Sequence, residues 1–208
     1  MQADRAYAAV RDMIVSLELR PGAVIDERSL MERLEIGRTP LREAVRRLAQ
    51  ERLVEVFPRR GTFVTSVEIR DLASLAEVRL VLESHAAALA AERATDDDRE
   101  ELQALIDELP HSEGQDTREL IALDERIHRQ IYRCTHNAFL EGTLEEYYVL
   151  ALRIWYLALD RARELEQAVL GHRELLEAIR DGDAEEAERT MRQHVQDFEQ
   201  AMRRILIG

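Results

Sequence analysis

Residues 34–48, LEIGRTPLREAVRRL, constrain the fold of this 208-residue chain more than any other stretch. Leu41, Ala44, Val45 and Leu48 fall at i, i+3, i+4 and i+7, the spacing of one buried helical stripe. Arg38, Arg42 and Arg46 recur every fourth residue beside it. An amphipathic helix is the way to bury the aliphatics while leaving the guanidinium groups in water. Gly37 takes the N-cap position, at a cost of roughly a few tenths of a kcal/mol relative to Ser or Asn. Pro40 sits in the first turn, where a missing N–H does no harm. Guanidinium forks near the start of a helix can reach guanine edges and phosphates in a major groove.

The flanking segments fit that reading. Residues 4–19 predict a helix with Ala6, Val10, Met13, Ile14 and Leu17 as its apolar stripe, stopped by Pro21-Gly22. Asp26 is placed to cap a second helix over 27–34 carrying Leu30 and Leu34, with 35–37 as the turn. After the third helix, Val54 and Val56, then Phe63 and Thr65, keep a period-2 alternation across the turn Pro58-Arg59-Arg60-Gly61. A hairpin with an Arg-Arg-Gly tip at this place is a winged-helix wing; the alternative is an ordinary solvated hairpin. From residue 71 the pattern is helical throughout, over about 71–94, 97–109, 116–135, 137–159, 163–181 and 183–206, with breaks at 110–114 and Asp181-Gly182-Asp183. The expectation is a mainly α protein. Residues 1–66 form a winged helix-turn-helix, 67–70 a linker and 71–208 an all-α bundle.

Charge follows the same division. The formal net charge is −13. Residues 1–66 carry 12 arginines against 10 carboxylates, and residues 67–208 carry 17 against 32. The acidic character lies in the second part, so it does not exclude a nucleic-acid partner for the first. There is no lysine. A single cysteine, Cys134, rules out an internal disulfide and a paired-cysteine metal site. No apolar run reaches 18 residues and the N-terminus lacks a signal-peptide core, so a cytoplasmic protein with no membrane partner is expected.

Four residues in the second part invite chemistry. Asp124 and His128, four apart, share a helical face. His172 lies on a stripe with Val169, Leu176 and Ile179, and His194 on one with Ala187, Met191 and Phe198. Burying three imidazoles and a carboxylate is costly unless they satisfy one another or hold a cation. Together they make a donor set for a divalent metal with positions left open. By periodicity alone, a satisfied core histidine is the better reading of each. Arg79 falls in line with Leu72, Leu75, Leu82 and Ala86, where a permanent charge needs an anion, either Glu83 at i+4 or a ligand. Asn137 either donates to a ligand or caps a helix. His85 is placed to line a pocket or helix interface, His111 lies in a loop, and His136 sits at a helix break without an obvious partner. Trp155, Tyr156, Tyr147 and Tyr148 are cavity floor or core. No phosphate loop and no Ser-His-Asp or Cys-His pattern is present.

The stretch ELRPGAVIDERSLMERLEIGRTPLREAVRRLAQERLVEVFPRRGTFV resembles the winged helix of the GntR family of bacterial transcriptional regulators. Glu35 and Arg52 stand where that family commonly has glycine, and Gly37 where it has Ser. EVRLVLESHAAALAAERA, LDERIHRQIYRCTHN and HRELLEAIRDGDAEEAERTMRQHV are similar to the FCD ligand-binding domain of the FadR-like branch. Six helices would point to its VanR-like subgroup. The resemblance implies a homodimeric, metabolite-responsive regulator, most often a repressor, that binds double-stranded operator DNA. Arg38, Thr39 and Arg42 would read bases or phosphates beside Arg46. Arg28 and the wing residues Arg59, Arg60 and Gly61 would touch the backbone or minor groove. Asp124, His128, His172 and His194 would bind a metal, zinc first and nickel, manganese or iron as alternatives. Arg79 and Asn137 would hold a small carboxylate effector. Two other readings stay open: a pure metal sensor and a metal-dependent helical-bundle enzyme.

Overall fold

The structure, a computed structural model, describes residues 2–66, 69–109, 116–157 and 162–207. It divides into two compact units, Met1–Glu68 and Ile69–Gly208. The first contains α1 (Gln2–Val15), α2 (Glu27–Leu34), α3 (Arg38–Gln50) and the strands β1 (Val54–Phe57) and β2 (Gly61–Val64). The stripe of α3, Leu41, Ala44, Val45 and Leu48, is buried, as are Ala6, Val10, Met13 and Ile14 of α1, against which α3 packs. Tyr7 on α1 adds a polar tie. Its hydroxyl donates to Glu51 Oε2 at 2.7 Å, and the Arg47 guanidinium lies 3.8 Å over its ring. Burial and the Glu51 carboxylate push the Tyr7 phenol up to about 12.

Helix α1 ends four residues earlier than its pattern predicts. Leu17 turns left-handed (φ 61°) and Leu19 N–H donates to Met13 O at 2.8 Å, closing the end before Pro21. Arg20 precedes that proline and is itself disfavoured in a helix. Asp26 caps α2 as expected, accepting from the N–H groups of Arg28 and Ser29. Helix α2 then terminates on Glu35 at φ 53°, ψ 48°.

The wing is an antiparallel pair in which Val54 faces Val64 and Phe57 faces Gly61. On β2 the Phe63/Thr65 phase of the alternation is not the buried one. Thr62 and Val64 are buried and Phe63 only half-buried, while Val56 on β1 is 58% exposed. Period-2 alternation has two phases, and the choice here comes from outside the hairpin. Residues 22–25 run along the free edge of β2: Ile25 N–H donates to Thr62 O (2.8 Å) and Val64 N–H to Ala23 O (2.9 Å).

The second unit contains α4 (Ile69–Arg93), α5 (Asp96–Glu108), α6 (Thr117–Cys134), α7 (Ala138–Leu157), α8 (Ala162–Leu170), α9 (His172–Asp181) and α10 (Ala184–Ile207). Helix α4 begins at Ile69, inside the span expected to be linker. Among the described residues, seven helices replace the expected six, because the segment 163–181 divides at Gly171 into α8 and α9. The argument for a VanR-like subgroup goes with that count. The break leaves no mark in the pattern, since Gly171 keeps near-helical angles (φ −61°, ψ −16°). Small residues on α4, Ala86, Ala87, Ala90 and Ala91, are fully buried and let α10 lie close along it. Among the described residues no helix is long and apolar enough to cross a membrane.

Candidate nucleic-acid interface and metal centre

In the first unit every arginine singled out from the sequence reaches solvent. Arg38, Thr39, Arg42 and Arg46 are exposed on α3. Arg42 approaches Glu27 of α2 at 3.9 Å, while Arg38 and Arg46 make no ion pair among the described residues. Gly37 offers no side-chain cap, so the first-turn N–H groups of α3 lack that internal acceptor, a setting suited to phosphate. Arg28 pairs with Glu32 across one turn of α2 at 3.1 Å. At the wing tip Arg59 and Gly61 both take left-handed angles (φ 64° and 107°), with Arg60 exposed between them.

In the second unit the fold joins what the sequence keeps 70 residues apart. Asp124 and His128 from α6, His172 from the start of α9 and His194 from α10 place one ligand atom each within 4.8 Å of one another. Asp124, His128 and His172 are buried, and His194 is partly exposed. His128 Nε2 lies 3.2 Å from His172 Nε2 and 3.9 Å from Asp124 Oδ2, and His172 Nε2 lies 3.8 Å from Asp124 Oδ1. Burial, then the neighbouring imidazoles and Arg79, holds His128 and His194 well below the ordinary histidine value. Burial also lowers His172, against the opposing pull of Asp124 and the Val169 carbonyl. The three imidazoles are therefore neutral at neutral pH.

Two features fit this set to a cation. The Val169 carbonyl can only accept, so His172 Nδ1, 3.2 Å away, donates to it and Nε2 is left as an acceptor, 3.2 Å from His128 Nε2. Asp124 Oδ2 accepts from the Tyr148 hydroxyl at 2.7 Å, but Oδ1 is buried without a hydrogen-bond partner. A buried carboxylate oxygen without a hydrogen-bond partner, beside an imidazole acceptor, is a cost that a cation would remove.

Arg79 is buried and bidentate to Glu83, with Nε–Oε1 at 2.5 Å and Nη2–Oε2 at 3.2 Å. This is the internal-salt-bridge alternative, and it leaves Nη1 for any anionic ligand. Burial opposes the Arg79 charge, but Glu83 outweighs it and holds the guanidinium firmly protonated. Asn137 caps α7, its Oδ1 accepting from Phe139 N–H and Leu140 N–H at 3.2 and 3.3 Å; only its amide nitrogen remains for a ligand. His85 is exposed rather than lining a pocket, because the inward face of α4 at that turn belongs to Glu83, Ser84, Ala86 and Ala87. His136 does have a partner, Asp98 Oδ2 at 2.8 Å, and His111 lies outside the described residues.

The sequence pattern offers Tyr148 as cavity floor or core and gives Tyr132 no role. Tyr132 follows His128 by one more turn of α6, and its hydroxyl lies 3.3 Å from His128 Nδ1; that i+4 spacing was a usable signal. Nothing local links Tyr148 to Asp124. A pocket of about 440 Å³, lined by Trp155, Gln167, Thr190, Gln193, Phe198 and Arg204 among others, opens onto His194.

An arginine-faced winged helix-turn-helix followed by a helical bundle with an internal ligand cluster defines a class, the DNA-binding transcriptional regulators. Comparison with known proteins narrows it. The bacterial regulatory proteins of the gntR family match residues 2–64 and the FCD domain matches residues 74–197. The chain is 34% identical over 200 residues to an HTH-type transcriptional regulator in an unstable DNA locus of Streptomyces ambofaciens, covering 91% of this chain and 80% of that one. It is 25% identical to the HTH-type transcriptional repressor RspR of Escherichia coli (strain K12), covering 96% and 88%. Among solved structures, E. coli McbR/YncC shares the fold with a TM-score of 0.85 at 24% identity, covering 100% of this chain and 99% of that one. The chain belongs to the gntR family of regulators and carries an FCD domain. These relatives are regulators and not enzymes, so the metal-dependent enzyme reading falls.

Proposed function

We propose that this regulator is a cytoplasmic repressor that binds operator DNA as a homodimer, and that a small organic carboxylate, bound at a divalent metal in the second unit, controls its DNA affinity. The observation that carries the metal reading is a buried Asp124 Oδ1 without a hydrogen-bond partner, placed beside the acceptor Nε2 of His172. Asp124, His128, His172 and His194 would hold the ion, zinc first by ligand type. Once bound it supplies a positive centre with open positions. One carboxylate and three neutral imidazoles leave such a site one unit positive, and Arg79 Nη1 adds a donor, so a carboxylate suits it. Asn137 would contribute at most its amide nitrogen.

Residues 1–66 would read DNA, and 71–208 would hold the effector and the dimer contact. Arg38, Thr39 and Arg42 would meet bases or adjacent phosphates. Arg28, Arg46, Arg59, Arg60 and Gly61 would position the backbone. Control requires that the effector bind one DNA-competence state more tightly than the other.

Native mass spectrometry with elemental analysis of the purified protein tests this. A dimer carrying one metal per chain supports it. Protein that is metal-free and takes up neither zinc nor nickel refutes the metal site while leaving DNA binding intact. Operator affinity that changes on chelation alone, with no organic acid effect, replaces the carboxylate with the metal itself as signal.

A further inference from the structure

Glu83 and Arg79 form an ion pair in the bundle core that the fold itself does not call for. Both side chains are almost wholly buried. They sit one turn apart on α4, and their neighbours on that helix, Leu72, Ala86 and Ala87, are apolar and buried. Buried ion pairs frequently add nothing to stability over apolar residues of the same volume. The pair does, however, stand behind a ligand. Glu83 Oε2 lies 3.5 Å from His128 Nδ1, on the ring edge away from Nε2, which faces His172 and Asp124.

We propose that Glu83 is a positioning residue for the metal centre: its carboxylate holds the Nδ1 proton of His128, so that Nε2 presents a lone pair to the cation, and Arg79 holds Glu83 in place. The inference rests on the metal reading above. Two groups approach His128 Nδ1. The Tyr132 hydroxyl, at 3.3 Å, is able to donate or accept and so leaves the tautomer open. A carboxylate oxygen accepts, so Glu83 at 3.5 Å favours the tautomer with the proton on Nδ1 once a cation takes Nε2; without a cation, His128 Nε2 is able to donate to His172 Nε2 at 3.2 Å instead. His172 repeats the logic with a different acceptor, since the Val169 carbonyl plays the same part for its Nδ1. Two of the three imidazoles are thus oriented from behind, one by main chain and one by an imported charge. Arg79 is the counter-ion that lets that charge lie in the core, its Nε and Nη2 engaging both carboxylate oxygens. Such outer partners typically change metal affinity by about 10–100-fold.

The test is zinc affinity of the full-length protein, measured by competition with a chromophoric chelator. Glu83→Gln is expected to bind zinc 10–100-fold more weakly than the parent. Because it strands a buried guanidinium, the charge-free pair Arg79→Met with Glu83→Gln carries the same test in a protein that keeps its helical circular dichroism, with the same expected loss. Cobalt-loaded protein supplies a second readout by NMR. The parent should show two shifted, slowly exchanging imidazole N–H signals, from His128 and His172. The double variant should lose protection of the His128 signal alone, with His172 as internal control. Zinc affinity within twofold of the parent, with the His128 proton still protected, overturns the role of Glu83. A parent that binds neither zinc nor cobalt overturns the metal reading first, and this one with it.

Discussion

Acidifying the metal-free protein should destabilise its helical unit well above the pH at which carboxylates titrate. Burial holds His128 and His194 well below the ordinary histidine pKa and lowers His172 as well. In the unfolded chain all three titrate near 6.5. The folded pKa values are depressed, so the unfolded state takes up protons first. Stability rises with pH up to about 6.5 and is lost below it. At pH 5.5, one unit under the unfolded value, each imidazole kept neutral costs about 1–2 kcal/mol relative to high pH. Two such groups give about 3 kcal/mol, and His172, with the smaller shift, adds a fraction of one more. For a unit of this size that corresponds to a fall in Tm of roughly 6–12 °C. The described carboxylates held low by their partners, Asp98, Glu108, Asp181 and Glu186, lose their pairing only at more acidic pH. Thermal unfolding in chelator at pH 7.5, 6.5 and 5.5 reads the slope, and His194→Gln should flatten it by about one third or more. Saturating zinc at 100 times its Kd should restore about 2.7 kcal/mol at neutral pH. A flat profile from pH 7.5 to 5.5, unchanged in His194→Gln, would refute the picture of a buried neutral cluster.

Other outcomes follow from single contacts. Glu35→Gly and Arg52→Gly should each stabilise the first unit by about 0.5–1 kcal/mol, because both positions are left-handed (φ 53° and 59°) and only glycine adopts that conformation freely; equal gains from Glu35→Ala or Arg52→Ala in urea titrations would show that backbone strain is not the cause. Tyr148→Phe leaves buried Asp124 without its hydroxyl donor and should cost about 1–3 kcal/mol in chelator, less with zinc present; a variant equally stable in both conditions contradicts the assigned contact. Arg38→Ala should weaken specific operator binding by about 1–3 kcal/mol per half-site, and undiminished affinity in a mobility-shift titration rules out a base contact there. Arg59→Ala and Arg60→Ala should each lower the salt dependence of DNA binding by about one charge, with an unaltered slope excluding a phosphate contact at the wing.

Much of this chain is readable because helices are local. The stripe Leu41, Ala44, Val45, Leu48 specifies α3 and, by exclusion, its exposed arginines. Asp26 and the following turn specify the start of α2. Asp124 and His128 meet at i, i+4 without help from any other element. Glu35 and Arg52 were visible as departures from a glycine pattern, and their positive φ explains why glycine is the common choice there. Where periodicity carried no sign, the reading failed. The wing alternation did not say which face of β2 would be buried, and the break at Gly171 lies inside an uninterrupted helical pattern.

The sequence by itself determined the helices, the exposed arginine row and the residue types able to bind a cation, since each depends on neighbours within a turn or two. Only the tertiary structure decided that α6, α9 and α10 bring their imidazoles together, that Tyr148 reaches Asp124 across 24 residues, and that Glu83 lies behind His128. Those contacts depend on how helix faces rotate and pack against one another, and one residue of rotation turns a side chain by about 100°. No local pattern encodes that angle; the closure of the whole core sets it.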